Sequence, residues 1–132
     1  MIFRYWDRDS DYEVLEKWWK FWRFPAPSKN ILPNTGLVLN INGEDVVCGF
    51  VYFSNSDLCW IEFIVSSPNV KDKQVREEMI KAMINKLCDV ASDAGYSVAY
   101  TSLKHEGLQN KYLECGFVEG SRNCNEYIKN IK

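Results

Sequence analysis

One carboxylate in this chain stands where a carboxylate is costly. Glu62 falls in the middle of LCWIEFIV, a run that alternates Ile61, Phe63 and Val65 against Trp60, Glu62 and Ile64. Both faces of the strand this pattern predicts are otherwise apolar. Desolvation there disfavours the charged form and lifts the carboxyl pKa towards neutrality, where a carboxylate serves as a general base. A carboxylate paired with a lysine or a backbone donor, or left on an uncovered sheet face, fits the same residues. Directly after it, VSSPNVKDKQVREEMIKAM leaves the strand, turns at Pro68 and enters a helix through Lys71, Lys73 and Arg76. A helix N-terminus offers unpaired backbone N–H groups and a positive dipole end, both suited to phosphate, and basic side chains add charge-assisted contacts. Asp72, Glu77 and Glu78 oppose an anion, and Asp72 on its own makes an ordinary helix cap. The turn contains no glycine. Glycine would supply positive φ and close approach of a ligand, and a turn built from ordinary helical angles needs neither.

The remaining reactive side chains offer less. His105 has a near-neutral reference pKa and stands at a predicted helix start, where a cap or surface role is the commoner one. The five cysteines (Cys48, Cys59, Cys88, Cys115 and Cys124) include no C-x-x-C pair and no visible base partner. They read as reduced, partly buried thiols of a cytoplasmic protein, which argues against an acyl-cysteine step. With one histidine and no ligand spacing, no metal is expected. The other unusual stretch is EKWWKFWRF, where Trp18, Trp19, Phe21 and Trp22 are interspersed with Lys17, Lys20 and Arg23. Rings closing the core, a wall for a planar or cationic substrate, a nucleic-acid stack, a membrane-interface helix and a dimer face all fit it. Adjacent Trp18 and Trp19 cannot point the same way, so one of them is expected at an edge.

The elements that must position these groups follow from periodicity. MIFRYW is a first strand, and a helix runs to Phe24, capped by Asp9, Ser10 or Asp11 and stopped by Pro25 and Pro27. Three antiparallel strands follow between Leu37 and Val65, with turns around Gly43 and Asn55. The longest helix spans about Lys73 to Ala94, with one apolar stripe through Met79, Met83, Ile84, Leu87 and Ala91, and ends at Gly95. YSVAYTSL is a strand, a short helix passes through Leu108, Tyr112 and Leu113 to Gly116, and FVEG and NEYIKNI close the chain as two strands. The order β-α-β-β-β-α-β-α-β-β over residues 1–132 is one α+β domain built on a mixed sheet. The unit Leu58 to Leu103 has the length of a crossover between parallel strands. A net charge of -2 gives no global electrostatic case for nucleic acid, and no apolar run approaches the length of a membrane span.

This order resembles the GNAT-type N-acetyltransferase superfamily. The likeness rests on the strand ending at Val65 followed by Pro68, the basic turn and the amphipathic helix. It rests also on HEGLQNKYLECGF (His105–Phe117), where a tyrosine precedes a Gly-Phe pair, and on the central hairpins. It extends from about Gly36 onward, and the chain is similar to small divergent members of the kind found in phage genomes. The resemblance implies a largely antiparallel sheet splayed at a central parallel pair, and acetyl-CoA as cofactor. The backbone of Phe63, Ile64 and Val65 would take the pantetheine arm, and Lys71, Asp72, Lys73, Gln74, Val75 and Arg76 the pyrophosphate. His105 would contact the cofactor. Both glycine positions of the family's loop are filled by long side chains, at Gln74 and Arg76. The resemblance also assigns Tyr112 as the acid for the departing thiolate, Glu62 as the base, and the region of Trp18, Trp19 and Trp22 to the acceptor site. Leu108 and Tyr112, four apart, also fit a tyrosine packed on a core face.

The implied reaction is direct attack of an amine on the thioester in a ternary complex. The acceptor is a small molecule or a protein amine, and the chain a monomer or homodimer. The other reading of the same scaffold is a non-catalytic binding protein whose Trp-rich helix contacts a protein or nucleic acid.

Overall fold

In the computed structural model, which describes residues 1–132, a five-stranded sheet lies between helices on both faces. Its order is β1 (Ile2–Tyr5), β2 (Gly36–Ile41), β3 (Glu44–Phe53), β4 (Leu58–Ser66) and β5 (Val98–Tyr100). The first four strands pair antiparallel, and β4 pairs β5 in parallel. Helices α1 (Arg8–Phe21), α2 (Lys73–Asp93) and α3 (Glu106–Glu114) complete the chain, with a 3-10 turn at Lys29–Ile31. This is the expected mixed α+β architecture, parallel pair included.

The core has two parts, one on each face of the sheet. Met79, Met83, Ile84, Leu87 and Ala91 of α2 pack with Tyr112 of α3 on Leu39, Val47, Val51, Cys59 and Ile61. On the other face, Leu15, Trp18 and Trp19 of α1 pack with Trp6 and Leu32 on Val38, Cys48, Phe50 and Val65. Burial of these side chains stabilises the fold by about 1.5–3 kcal/mol each before chain entropy is counted. α2 begins at Lys73 as its pattern predicts, and Gly95 (φ +96°) ends it. Asn42 and Gly43, both at positive φ, form the tight hairpin turn between β2 and β3.

Three expectations are corrected. The cap of α1 is Asp7, whose carboxylate accepts from Ser10 N, while its own N–H donates to Asp11 at 2.7 Å; this starts the helix earlier than Asp9. Trp18 and Trp19 are both buried, because α1 lies flat enough on the sheet to press a broad stripe into it. The two closing strands do not form. Residues 117–132 enter no strand pairing, and Val118, Tyr127, Ile128 and Ile131 are more than four-fifths exposed. NEYIKNI has apolar residues at 127, 128 and 131, so neither face of a strand drawn through it is apolar throughout. β5 is therefore an edge strand.

Candidate active site

The site is created by a break in β4. Cys48 pairs with Val65 and Phe50 with Glu62, so two residues, Phe63 and Ile64, oppose Gly49 alone. Phe63 takes a left-handed backbone (φ +59°), a conformation costing a bulky residue on the order of 1–3 kcal/mol. The strict alternation read from LCWIEFIV is thereby overturned. Ile61 and Ile64 face α2, whereas Phe63 and Val65 face α1, joined there by Glu62, which stands opposite the buried Phe50. The same break ends the parallel pairing. β5 follows β4 only from Leu58 to Trp60, leaving Ile61 to Val65 with a strand edge that has no neighbour. Gly49 permits this closeness, since a Cβ there would lie 2.8 Å from Leu87 Cδ1 and 3.0 Å from Ile64 Cγ1.

Glu62 stands at the mouth of the opening. Its Oε1 accepts the Ser102 backbone N–H at 3.3 Å, bridging the strands where they part. The carboxylate is half-buried, and desolvation raises its pKa from 4.5 to about 7, with the Ser102 donor opposing and the charge of Glu126 adding to the shift. Tyr112 of α3 lies among the side chains on the α2 face of the sheet, near enough to Glu62 to feel its charge. Its side chain is 4% exposed and packs edge-on against Phe117, ring centres 5.0 Å apart. Burial holds its phenol well above the ordinary value, the nearby Thr101 hydroxyl pulling back and the charge of Glu62 pushing further. Thr101 Oγ1 sits close enough to be felt but makes no well-formed hydrogen bond, and is buried without a partner. A carboxylate that titrates near neutrality thus borders the gap between the strands, with a phenol kept protonated and an orphaned hydroxyl on its α2 side.

The turn from Ser67 to Asp72 runs on ordinary backbone angles, with no positive φ. Ser67 N donates to Val46 O at 2.7 Å and Ser67 Oγ accepts from Asn69 N, which fixes the turn's start. Asp72 is the cap of α2, its Oδ1 accepting from Val75 N at 3.1 Å. The N–H groups of Lys71, Lys73 and Gln74 have no acceptor within the chain. Lys73 pairs only loosely with Glu77, at 3.9 Å, and is 81% exposed. Val75 turns away into a shallow groove with Ile41, Val46, Val70 and Met79. Arg76 folds back across the turn, donating to Val70 O at 3.0 Å, and its guanidinium lies over the Trp22 ring at 5.2 Å. The Trp22 indole in turn donates to Ser66 O at 2.8 Å, so the end of α1 is fastened to the end of β4. His105 caps α3 through Nδ1, which accepts from Leu108 N.

The structure therefore joins Glu62 to the bulged stretch Phe63–Val65 and the turn at the strand's end, and sets Tyr112 on the α2 side of the sheet, within range of the Glu62 charge. Trp18 and Trp19 are core, and Trp22 belongs to the turn rather than to a free aromatic wall. Sequence reasoning missed a row of rings on the sheet itself. Tyr52, Trp60 and Tyr100 are cross-strand neighbours on three adjacent strands, one step from Glu62 on its face. Strand pairing, had it been drawn from the hairpin turn and the crossover, would have aligned them.

No family model matches the chain, and no curated protein matches it. Solved structures do. The ribosomal-protein-S18-alanine N-acetyltransferase of Escherichia coli superposes with a TM-score of 0.74 at 15% identity, over 91% of this chain and 79% of that one. Rv2747 of Mycobacterium tuberculosis, solved in complex with CoA, gives 0.70 at 18% identity, over 94% and 76%. N-acetylglutamate synthase of Neisseria gonorrhoeae, complexed with coenzyme A and N-acetyl-glutamate, gives 0.66 at 16%, over 85% of this chain and 27% of that one. The fold is that of the GNAT acetyltransferases, as the resemblance implied.

Proposed function

We propose that this chain is an acetyl-CoA-dependent N-acetyltransferase acting on an amine by direct attack in a ternary complex. The observation that carries the reading is the gap that the β4 bulge opens beside β5, with Glu62 bonded across it to Ser102 and Tyr112 near enough to feel the Glu62 charge. The fit to acetyl-CoA is supported by the unpaired strand edge of Ile61 to Val65, which matches an amide-bearing arm. The free N–H groups at the start of α2 and the unpartnered Thr101 hydroxyl support it further. When bound, acetyl-CoA supplies a thioester carbonyl carbon open to nucleophiles.

Glu62 takes the proton that the ammonium must lose, a step costing on the order of 4–5 kcal/mol at pH 7 for an amine of reference pKa ~10.4. Its own pKa of about 7 matches that task better than an ordinary carboxylate would. Attack of the freed amine nitrogen on that carbon would release the sulfur with its bonding electron pair. Tyr112 would donate a hydrogen bond to that sulfur and pass it a proton, and the second proton that the nitrogen sheds on becoming an amide would restore the phenol. Because burial makes the phenol hold its proton tightly, the hydrogen bond is the larger share of the help. Arg76, Lys71 and Lys73 neutralise the pyrophosphate, and the Asp72 cap works against them by repulsion.

Thermal unfolding with and without acetyl-CoA tests the reading. Saturation at about 100 times Kd adds roughly 2.7 kcal/mol of stability, which is about 10 °C in a domain of this length. An unchanged midpoint at millimolar acetyl-CoA would remove the reading.

A further inference from the structure

The proposed reaction leaves the acceptor open, and the face of the sheet beside Glu62 narrows it. Tyr52 of β3 stands directly opposite Trp60 of β4, and Trp60 opposite Tyr100 of β5. Residues so paired share a face, so three rings lie in one row across three strands, roughly 10 Å wide at the usual strand spacing. The row ends the apolar surface that α1 covers. Trp60 is 38% exposed and Tyr100 46%, and neither is packed beneath a helix. Their ring centres are 4.5 Å apart with planes tilted by 59°, so the two rings are not stacked face to face. Tyr52 is held from below, its hydroxyl donating to Ile31 O at 2.7 Å.

Charge on this face is sparse. Between Leu58 and Ser66, β4 carries one carboxylate, Glu62, and residues 98–102 carry none. Glu62 is two residues beyond Trp60 on the same face, about 6.6 Å along the strand, within reach of a two-carbon arm extending from a ring lying on Trp60. The other acidic group whose field reaches Glu62 is Glu126 of the exposed C-terminal segment. A polyamine or an aminoglycoside would bring several cations to a face where Glu62 is the one strand carboxylate beside the rings, Glu126 adds only its field, and the Arg8 cation is already felt at Tyr52. A single ammonium on a flat apolar body matches the row and the carboxylate together.

We propose that the acceptor is a small arylalkylamine whose ring lies on Trp60 and Tyr100 and whose nitrogen meets Glu62. This rests on the acetyltransferase reading given above. The test measures thiol release from acetyl-CoA with 2-phenylethylamine, n-butylamine, spermidine and a short peptide with a free N-terminus. Phenylethylamine should exceed each of the others in kcat/KM by about 10-fold or more. Trp60→Ala should bring that advantage over butylamine to within about threefold, acting through the KM for phenylethylamine. Tyr100→Leu serves as the second variant should Trp60→Ala fold poorly. Preference for spermidine or the peptide, absence of turnover with ring-bearing amines, or a ring preference indifferent to both substitutions would overturn the inference. The acetyl-CoA thermal shift without acceptor separates the two levels. If it is absent, the acetyltransferase reading falls; if it is present and ring preference is not, only the acceptor assignment falls.

Discussion

Glu62 and Ser102 join two strands at the point where they cease to be a sheet. The Glu62 carboxylate accepts the Ser102 backbone N–H at 3.3 Å, two residues past the last β4–β5 pair, Trp60 with Tyr100. A carboxylate does here what the next ladder hydrogen bond would have done, and remains half-open to a ligand. The bond favours the charged form and burial disfavours it, and burial wins.

Activity should therefore fall as pH drops through about 7, as Glu62 gains a proton, and Glu62→Gln should remove that limb while lowering kcat by about 10²–10⁴-fold. Stability moves the other way. A carboxyl whose folded pKa lies above its ordinary 4.5 binds more protons folded than unfolded, so stability declines as pH rises between 4.5 and about 7. Glu62→Gln keeps an acceptor for Ser102 and carries no charge. Its midpoint should gain on the unsubstituted protein as pH rises from 5 to 8, and parallel pH curves for the two would contradict the assignment.

Tyr112→Phe should leave the fold nearly intact, because the hydroxyl has no well-formed hydrogen bond to lose and the ring packing on Phe117 is retained. Turnover should drop by about 10–100-fold with acetyl-CoA affinity within twofold, as expected of a hydrogen bond made only to developing charge. Single-turnover kinetics separate the two quantities, and an unchanged chemical step would remove Tyr112 from its role.

The Trp22–Arg76 contact predicts a role for α1 in cofactor affinity. Trp22 is pinned by Ser66 O, and Arg76 lies across both the ring and the turn. A partly exposed cation–π contact contributes about 0.5–1 kcal/mol, and loss of the indole hydrogen bond about as much. Trp22→Leu should weaken acetyl-CoA about 5–10-fold and acetyl-pantetheine, which lacks the pyrophosphate, by less than twofold. In an Arg76→Gln background the same substitution should cost less. Equal losses for both ligands in calorimetric titration would make Trp22 merely structural.

How far these features were legible in the sequence depended on the range of the forces that set them. α2 was readable to its first residue, since a 21-residue helix with one apolar stripe, an aspartate cap and a terminal glycine is specified locally. The Asn42–Gly43 turn and the parallel crossover were readable for the same reason. The bulge was not. Nothing about a phenylalanine asks for φ +59°; that angle is imposed by the opposing Gly49 and the packing of α2 beyond it. Period-two reading of LCWIEFIV consequently put Phe63 and Val65 on the wrong face, though it kept Glu62 beside Trp60. Trp18, Trp19 and Trp22 show a related limit, because only the tilt of α1 on the sheet decides which rings are core.

Gly49 then supplies the sharpest test that the bulge shapes the site. Its absent side chain lets Ile64 and Leu87 close over β3, and a Cβ would stand 2.8 Å from Leu87 Cδ1, 3.0 Å from Ile64 Cγ1 and 3.1 Å from Met83 Cγ. All three are side-chain atoms of the packed α2 face, so Gly49→Ala forces them outward at a cost of about 1–3 kcal/mol. Ile64 is half of the bulge, and pushing it displaces the strand edge that begins at Ile61. Gly49→Ala should therefore raise the KM for acetyl-CoA out of proportion to its loss of stability. Leu87→Ala, which removes core volume on the same face at a cost of about 2–5 kcal/mol, should lower the midpoint further and leave that KM within about twofold below the melting range. Thermal midpoints and acetyl-CoA titrations on the two variants decide the matter. If KM follows stability alone in both, the bulge is a packing irregularity and the opening of β4 from β5 does not depend on it.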